Sequence, residues 1–203
     1  DTKKNEIICN KNIYKQIVIF AEESKINIMV KSMTGFGKIT IENSDFDLKA
    51  AIGDYTAPFA IQAERENKKF SVSFQARNHR VRGDAFRLGQ VMNNLLSNAF
   101  KFTKPGDSIS VCIRQEELSE DRFCIVVSDT GAGMSEEFLT RLFLPYERET
   151  RFGAKYIAGT GLGMAIVKSI VSQMDGQIKV DSRLGEGSMF TLLLPFEVLP
   201  DAK

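Results

Sequence analysis

Residues 123–134 read FCIVVSDTGAGM, and the reading of this stretch decides the fold. Five apolar residues in a row, Phe123 to Val127, have the composition of a strand buried inside a sheet. The run ends on Asp129, and Gly131 and Gly133 follow with only Ala132 between them. A turn accounts for the glycines. It does not account for a carboxylate fixed at the mouth of a buried strand.

Strands and helices extend from this point in both directions. SISVCIR (108–114) alternates with Ile109, Val111 and Ile113 inward, and KFSVSF (69–74) alternates with Phe70, Val72 and Phe74 on one face. Between them Asp84 caps a helix whose apolar residues Leu88, Val91, Met92, Leu95, Leu96 and Ala99 recur at helical spacing through to Phe102. FDLKAAIGDYTAPFAIQAERENKK (46–69) reads as a helix with a bend at Pro58, and KITIEN (38–43) as a short strand. RNHRVRGD (77–84) is a basic loop or strand edge. Downstream, Ser135 caps a short helix with Glu136 and Glu137 in its first turn. GTGLGMAIVKSIVSQMDG (159–176) is a glycine-rich turn entering a helix that stops at Gly176. QIKVDS and SMFTLLLPF are closing strands joined by RLGEGS. ERETRFGAKYIA (147–158) has no period and reads as a mobile loop, while KNIYKQIVIFAEESKINIMV (11–30) fits neither period cleanly. This order predicts an α+β two-layer sandwich, a mixed sheet covered on one face by helices.

Bulk properties bound the function. The chain has 203 residues, 43% hydrophobic and 26% charged, which suits one domain or one domain with an appendage. A formal net charge of +1 asks for neither nucleic acid nor an anionic membrane. Cys9, Cys112 and Cys124 lack CxxC spacing, which fits a reducing, cytoplasmic setting better than a metal site. No apolar run approaches the ~18 residues of a membrane span. A start at Asp1 suggests a piece of something longer, whose parent could be anchored in an inner membrane.

Spacing rejects several nucleotide motifs. Gly161 and Gly163 are followed by Ile166 where a dinucleotide fingerprint needs glycine, no P-loop string occurs, and His79 is followed by Arg80 and Val81 rather than the protein-kinase HRD. What remains is a constellation. Asn94 and Asn98 are four apart on one helix face, with Lys101 three further on. An amide oxygen is a hard neutral ligand suited to a Mg²⁺ ion that also holds phosphates, and Lys101 can place a charge on a phosphate. Asp129 offers an acceptor-only carboxylate suited to the amino group of adenine. Gly131 and Gly133 let backbone approach a flat ring. Gly161 and Gly163 open a helix whose free N–H groups suit phosphate.

Four strings in order, QVMNNLLSNAFKFT, DTGAGM, LFLPYERE and GTGLGM, resemble the N, G1, F and G2 boxes of sensor histidine kinases. The chain is thereby similar to the GHKL (HATPase, Bergerat-type) ATP-binding fold, and most to the catalytic domain of bacterial sensor or hybrid kinases of two-component systems. The resemblance implies ATP and Mg²⁺ as cofactors, with Asn98 on the metal, Asn94 supporting it, and Lys101 and Arg148 on the phosphates. It implies further that Phe102, Asp129, Gly131, Gly133, Met134, Gly159, Thr160, Gly161, Leu162, Gly163 and Met164 line the nucleotide pocket. A lid from about Glu147 to Ala158 would lie over it. The domain would run over 45–198, after a divergent remnant of a dimerisation helix or linker (1–44) and before a tail (199–203).

The resemblance implies partners as well: a phosphoacceptor histidine domain, a response regulator receiver domain, and homodimerisation of the full-length parent. His79 stands outside any acceptor box, and MTGFGK lacks the acid of the family's turn, so neither dimerisation nor autophosphorylation is expected of this chain alone. The γ-phosphate would pass to a histidine supplied outside the chain. A GHKL ATPase, a non-catalytic nucleotide-binding module and a serine-directed kinase of the same fold stay open as alternatives.

Overall fold

Two aspartates start the two long helices. Asp47 Oδ1 accepts from the N–H of Ala50 at 2.9 Å, and Asp84 Oδ1 accepts from the N–H of Arg87 at 2.9 Å. Each satisfies a backbone donor that the first helical turn leaves without a partner. The computed structural model describes residues 39–117, 119–148 and 160–200.

The elements run β1 (Ser44–Asp47), α1 (Leu48–Arg65), β2 (Lys69–Phe74), β3 (Arg80–Gly83), α2 (Ala85–Phe102), β4 (Ser108–Gln115), β5 (Arg122–Asp129), α3 (Glu136–Leu139), α4 (Gly163–Gln173), β6 (Gln177–Arg183), β7 (Gly187–Pro195) and β8 (Glu197–Val198). A five-stranded sheet has the order β2-β4-β5-β7-β6, and a three-stranded sheet the order β1-β3-β8. In the larger sheet only β2 and β4 are parallel, so it is mixed. The fold is α+β, with helices on one face of that sheet.

Register explains the core. Val111 lies opposite Val127 and Ile113 opposite Ile125, and Val127 and Ile125 lie opposite Phe190 and Leu192 of β7. These residues share one face because strand side chains alternate. They join Leu88, Val91, Met92, Leu95 and Leu96 of α2 and Val167, Ile170 and Val171 of α4 in a single buried cluster. Each large aliphatic side chain so buried contributes about 1.5–3 kcal/mol.

The structure corrects several sequence readings. Ile39 to Asn43 form no strand; Ile39 and Ile41 pack against the core, and the N–H of Glu42 is held by Asp84 Oδ2 at 2.8 Å instead of by a neighbouring strand. The strand follows at Ser44, and α1 begins only after Asp47, so the first residues read as helix are β1 and its cap. RNHRVRGD is loop over 77–79; Arg80–Gly83 is β3, an inner strand between β1 and β8 rather than an edge, with Val81 buried. The sequence reading missed β8, a two-residue strand too short to show a period. Helix α4 ends at Gln173, and the left-handed residue after it is Asp175, φ 54°. Gly176 is needed for a different reason, since a Cβ there would meet Leu194 Cδ2 at 2.5 Å and Leu193 O at 2.7 Å.

His79 is half-exposed but tied down: its Nδ1 lies 2.9 Å from Asp47 Oδ2, and its carbonyl accepts from Leu48 N at 2.7 Å. The readings placed on residues 1–38 and on 149–159, Gly159 and most of the lid among them, lie outside the described residues. Among the described residues no helix is long and apolar enough to cross a membrane.

Candidate functional site

Asp129 is the last residue of β5, in register with Ile109 on one side and Ser188 on the other. Phe123, Ile125, Val127 and Asp129 share the helix-facing side of the strand by alternation, so the carboxylate follows three core residues toward the helical layer. Its Oδ1 accepts from the N–H of Gly131 at 2.9 Å. Burial raises its pKa from 3.8 to about 6, opposed by the N–H groups of Gly131 and Ser188 and reinforced by the charge of Asp107. Desolvation therefore dominates over hydrogen bonding at this carboxyl.

The glycines after it are held by close backbone. A Cβ on Gly131 would collide with the carbonyl oxygen of Phe102 and lie 2.9 Å from Asp129 Oδ1. That carbonyl accepts from the N–H of Ala132 at 3.0 Å, tying the loop to the end of α2. Gly133 is left-handed, φ 59°, and a Cβ there would collide with the carbonyl oxygen of Arg183. Met134 donates its N–H to Ser182 Oγ at 2.9 Å.

Helix α2 presents the amides. Asn94 Nδ2 donates to the carbonyl of Gln90 at 2.9 Å, and a Cβ on Gly163 would lie 2.8 Å from Asn94 Oδ1. Asn98 Nδ2 lies 3.3 Å from Met164 Sδ, within donor–acceptor range for sulfur. Both asparagines thus meet the first turn of α4, and Met164 is buried between that turn and α2. Gly161 is left-handed, φ 72°, and its carbonyl accepts from the N–H of Tyr146 at 2.9 Å. Thr160 Oγ1 faces the N–H of Leu162 at 3.4 Å, and Leu162 precedes α4 with no side-chain cap. That end of α4 keeps backbone donors available to an anion.

Lys101 is exposed at the end of α2 with its Nζ 5.1 Å from the centroid of the Phe102 ring, which is 42% exposed. Its pKa is lowered, first by desolvation and then by the positive charge of Arg148. Two cations held within each other's field form a ready counter-charge for phosphate. A separate cavity of about 440 Å³ between α1 and α2 shares only Lys101 with these residues. Its buried Lys68 is satisfied by Glu66 Oε2 at 2.7 Å and the carbonyl of Phe100 at 2.6 Å, so it is packing of α1 on α2 rather than part of the site.

The structure therefore brings together Asn94, Asn98, Gly163 and Met164 at one contact and Phe102, Asp129, Gly131, Gly133 and Met134 at another. Lys101 joins the two through α2, and Arg148 joins by its charge. The sequence reading missed Ser182 and Ser188, which touch the loop and the carboxylate from the β6–β7 hairpin. The signal for them was the pair Gly185 and Gly187 in RLGEGS, which was read only as a turn. As for a metal, no group of three His, Cys, Asp or Glu side chains converges among the described residues. An ion here would be held by an amide oxygen and the oxygens of its own ligand, as suits Mg²⁺.

The family model described as histidine kinase-, DNA gyrase B- and HSP90-like ATPase matches residues 83–198. The sensor protein GacS of Pseudomonas syringae pv. syringae is 34% identical over 169 residues, covering 82% of this chain and 18% of GacS. The sensor histidine kinase RcsC of Salmonella typhimurium is 43% identical over 115 residues, covering 57% of this chain and 12% of RcsC. The chain thus spans about a fifth or less of these relatives. The solved catalytic domain of the histidine kinase ThkA superposes with a TM-score of 0.63 at 25% identity, covering 76% of this chain and 97% of that domain. The region from β3 to β8 carries the family's match and every described residue of the candidate site, and the chain belongs to the histidine kinase-, DNA gyrase B- and HSP90-like ATPase family.

Proposed function

We propose that residues 45–198 bind Mg·ATP and present its γ-phosphate to a histidine on another segment or chain, as the catalytic domain of a sensor histidine kinase. The observation that carries this reading is Asp129, a desolvated carboxylate on the helix-facing side of β5 with Gly131 folded against it. A carboxyl placed there at a cost in solvation has a use if an N–H donor of a ligand completes its shell. The exocyclic amino group of adenine is such a donor.

The site's residues fit that ligand in parts. Gly131 keeps a side chain out of the space beside Asp129, and Gly133 lets the loop close against the Arg183 carbonyl. Phe102, partly exposed, offers an aromatic face. Asn98 holds its amide nitrogen toward Met164, which leaves its oxygen for a cation, and Asn94 sits beside it at the start of α4. Magnesium, when bound, supplies charge neutralisation for the phosphates. Lys101, Arg148 and the N–H groups around Leu162 and Gly163 would orient the phosphate chain, which is most of what phosphoryl transfer asks of a protein.

Asn94 also separates this reading from an ATPase. An amide cannot take a proton from water, and an imidazole acceptor needs no base. The response regulator and the parent's dimerisation belong to the same reading.

The test follows the γ-phosphate. The chain is incubated with Mg²⁺ and γ-labelled ATP, alone and with a separate helical phosphoacceptor domain from a relative. Acid-labile label on the added domain supports the proposal. Free phosphate without labelled protein points to an ATPase, acid-stable label to a hydroxyl acceptor, and bound nucleotide with neither product to a non-catalytic module.

A further inference from the structure

Ser182 sits in β6 directly opposite Ser188 of β7, which in turn lies opposite Asp129 of β5. The three side chains form one row across the sheet on the helix-facing side, because register partners share a face. The Ser182 hydroxyl is used to its full capacity. It accepts from the N–H of Met134 at 2.9 Å, donates to the carbonyl of Gly187 at 2.8 Å, and lies 3.1 Å from Ser188 Oγ, which can donate to it. One donor and two acceptor positions are all that a hydroxyl has.

Around it the hairpin's backbone grips the loop after β5. Gly185 donates its N–H to the carbonyl of Ala132 at 2.9 Å. Gly187, φ 103°, lies so close to Asp129 that a Cβ would collide with its carbonyl oxygen, and the N–H of Ser188 reaches the Asp129 carboxylate. Besides the Asp129 carboxylate, which takes the N–H groups of Gly131 and Ser188, Ser182 is a side chain that ties both halves, the loop at Met134 and the hairpin at Gly187 and Ser188.

Resting on the nucleotide reading above, we propose that Ser182 is the positioning residue of the base pocket: its hydroxyl locks the β6–β7 hairpin to the Asp129–Met134 loop and so sets both walls that an adenine ring meets. It touches no ligand itself. Without the hydroxyl, Met134 N–H loses its acceptor and the Ser188 N–H is no longer held in place beside Asp129.

The experiment compares the parent chain with Ser182→Ala and Ser182→Thr. Amide exchange at Met134 is followed without nucleotide, and binding of Mg·ADP and its inosine counterpart by calorimetry. In Ser182→Ala, Met134 exchange is expected to quicken by about fivefold or more, Mg·ADP affinity to fall about five- to tenfold, and the preference for adenine over hypoxanthine to narrow. Ser182→Thr keeps the hydroxyl and is expected within threefold of the parent on all three. A lowered Tm with unchanged exchange, affinity and base preference would overturn the proposal, because that is what a purely structural serine does. Should the parent bind no adenine nucleotide while Met134 exchange still responds, the hold of Ser182 on the loop stands and the nucleotide reading falls.

Discussion

The backbone N–H of Gly131 lies 2.9 Å from Asp129 Oδ1, yet the carboxyl still titrates at about 6 because burial outweighs that bond. A chain that folds a glycine back onto its own desolvated carboxylate holds the group in place without relieving its cost. Asp129 is therefore expected to trade stability for binding, and the first two predictions concern it.

Asp129→Asn keeps the shape and an acceptor for Gly131 while removing the buried charge. Tm at pH 7.5 is expected to rise by roughly 3–6 °C, while affinity for adenine nucleotides falls at least tenfold. Differential scanning calorimetry and titration calorimetry on the same sample check both. An unchanged dissociation constant would remove Asp129 from the base site.

The pH dependence follows from the same shift. The folded state holds the Asp129 proton more tightly than the unfolded chain, so this group's contribution to stability falls as pH rises from about 4 to about 6. Binding has the opposite sense, since the ionised carboxylate is the stronger acceptor for an amino group and the protonated one turns an O–H donor toward the site. Mg·ADP affinity is expected to drop about tenfold between pH 7.5 and pH 5, and the difference between parent and Asp129→Asn isolates this effect from titration of the phosphates. Parallel pH profiles for the two proteins would contradict it.

Gly131→Ala places a methyl against the Phe102 carbonyl and Asp129 Oδ1. Neither backbone nor a hydrogen-bonded carboxylate can withdraw cheaply, so the expected cost is about 1–3 kcal/mol of stability, with nucleotide binding lost. Chemical denaturation and calorimetry measure the two effects separately.

Lys101→Ala removes one of two mutually repelling cations. Affinity for ATP is expected to fall about five- to tenfold and affinity for AMP to change less than twofold, because the charge assigned to Lys101 serves phosphates that AMP lacks. Equal losses for both nucleotides would place Lys101 elsewhere.

Asn94→Glu puts a carboxylate where the structure holds an amide beside Gly163. Release of phosphate to water is expected to rise above the parent's, because a base becomes available to activate it. A malachite green assay reads this directly, and an unchanged rate would leave the role given to Asn94 without support.

The sequence by itself determined what is periodic or chemically singular. The apolar spacing of α2, the alternation of β4 and the cap at Asp84 are local, since each depends on residues within a turn or two. Asp129 after a five-residue apolar run was legible because a carboxylate there has no local reason to exist. The early helix start, the missing strand at Ile39 to Asn43 and the unseen β8 share one cause: hydrogen-bond partners 42 residues away for Glu42 and more than 100 away for β8 leave no local mark. Tertiary structure alone decided that Asn98 meets Met164, that Gly163 closes on Asn94, and that Ser182 and Ser188 stand in one row with Asp129. Those are facts of strand order and helix contact, and contacts between residues far apart in sequence are set by packing rather than by any local propensity.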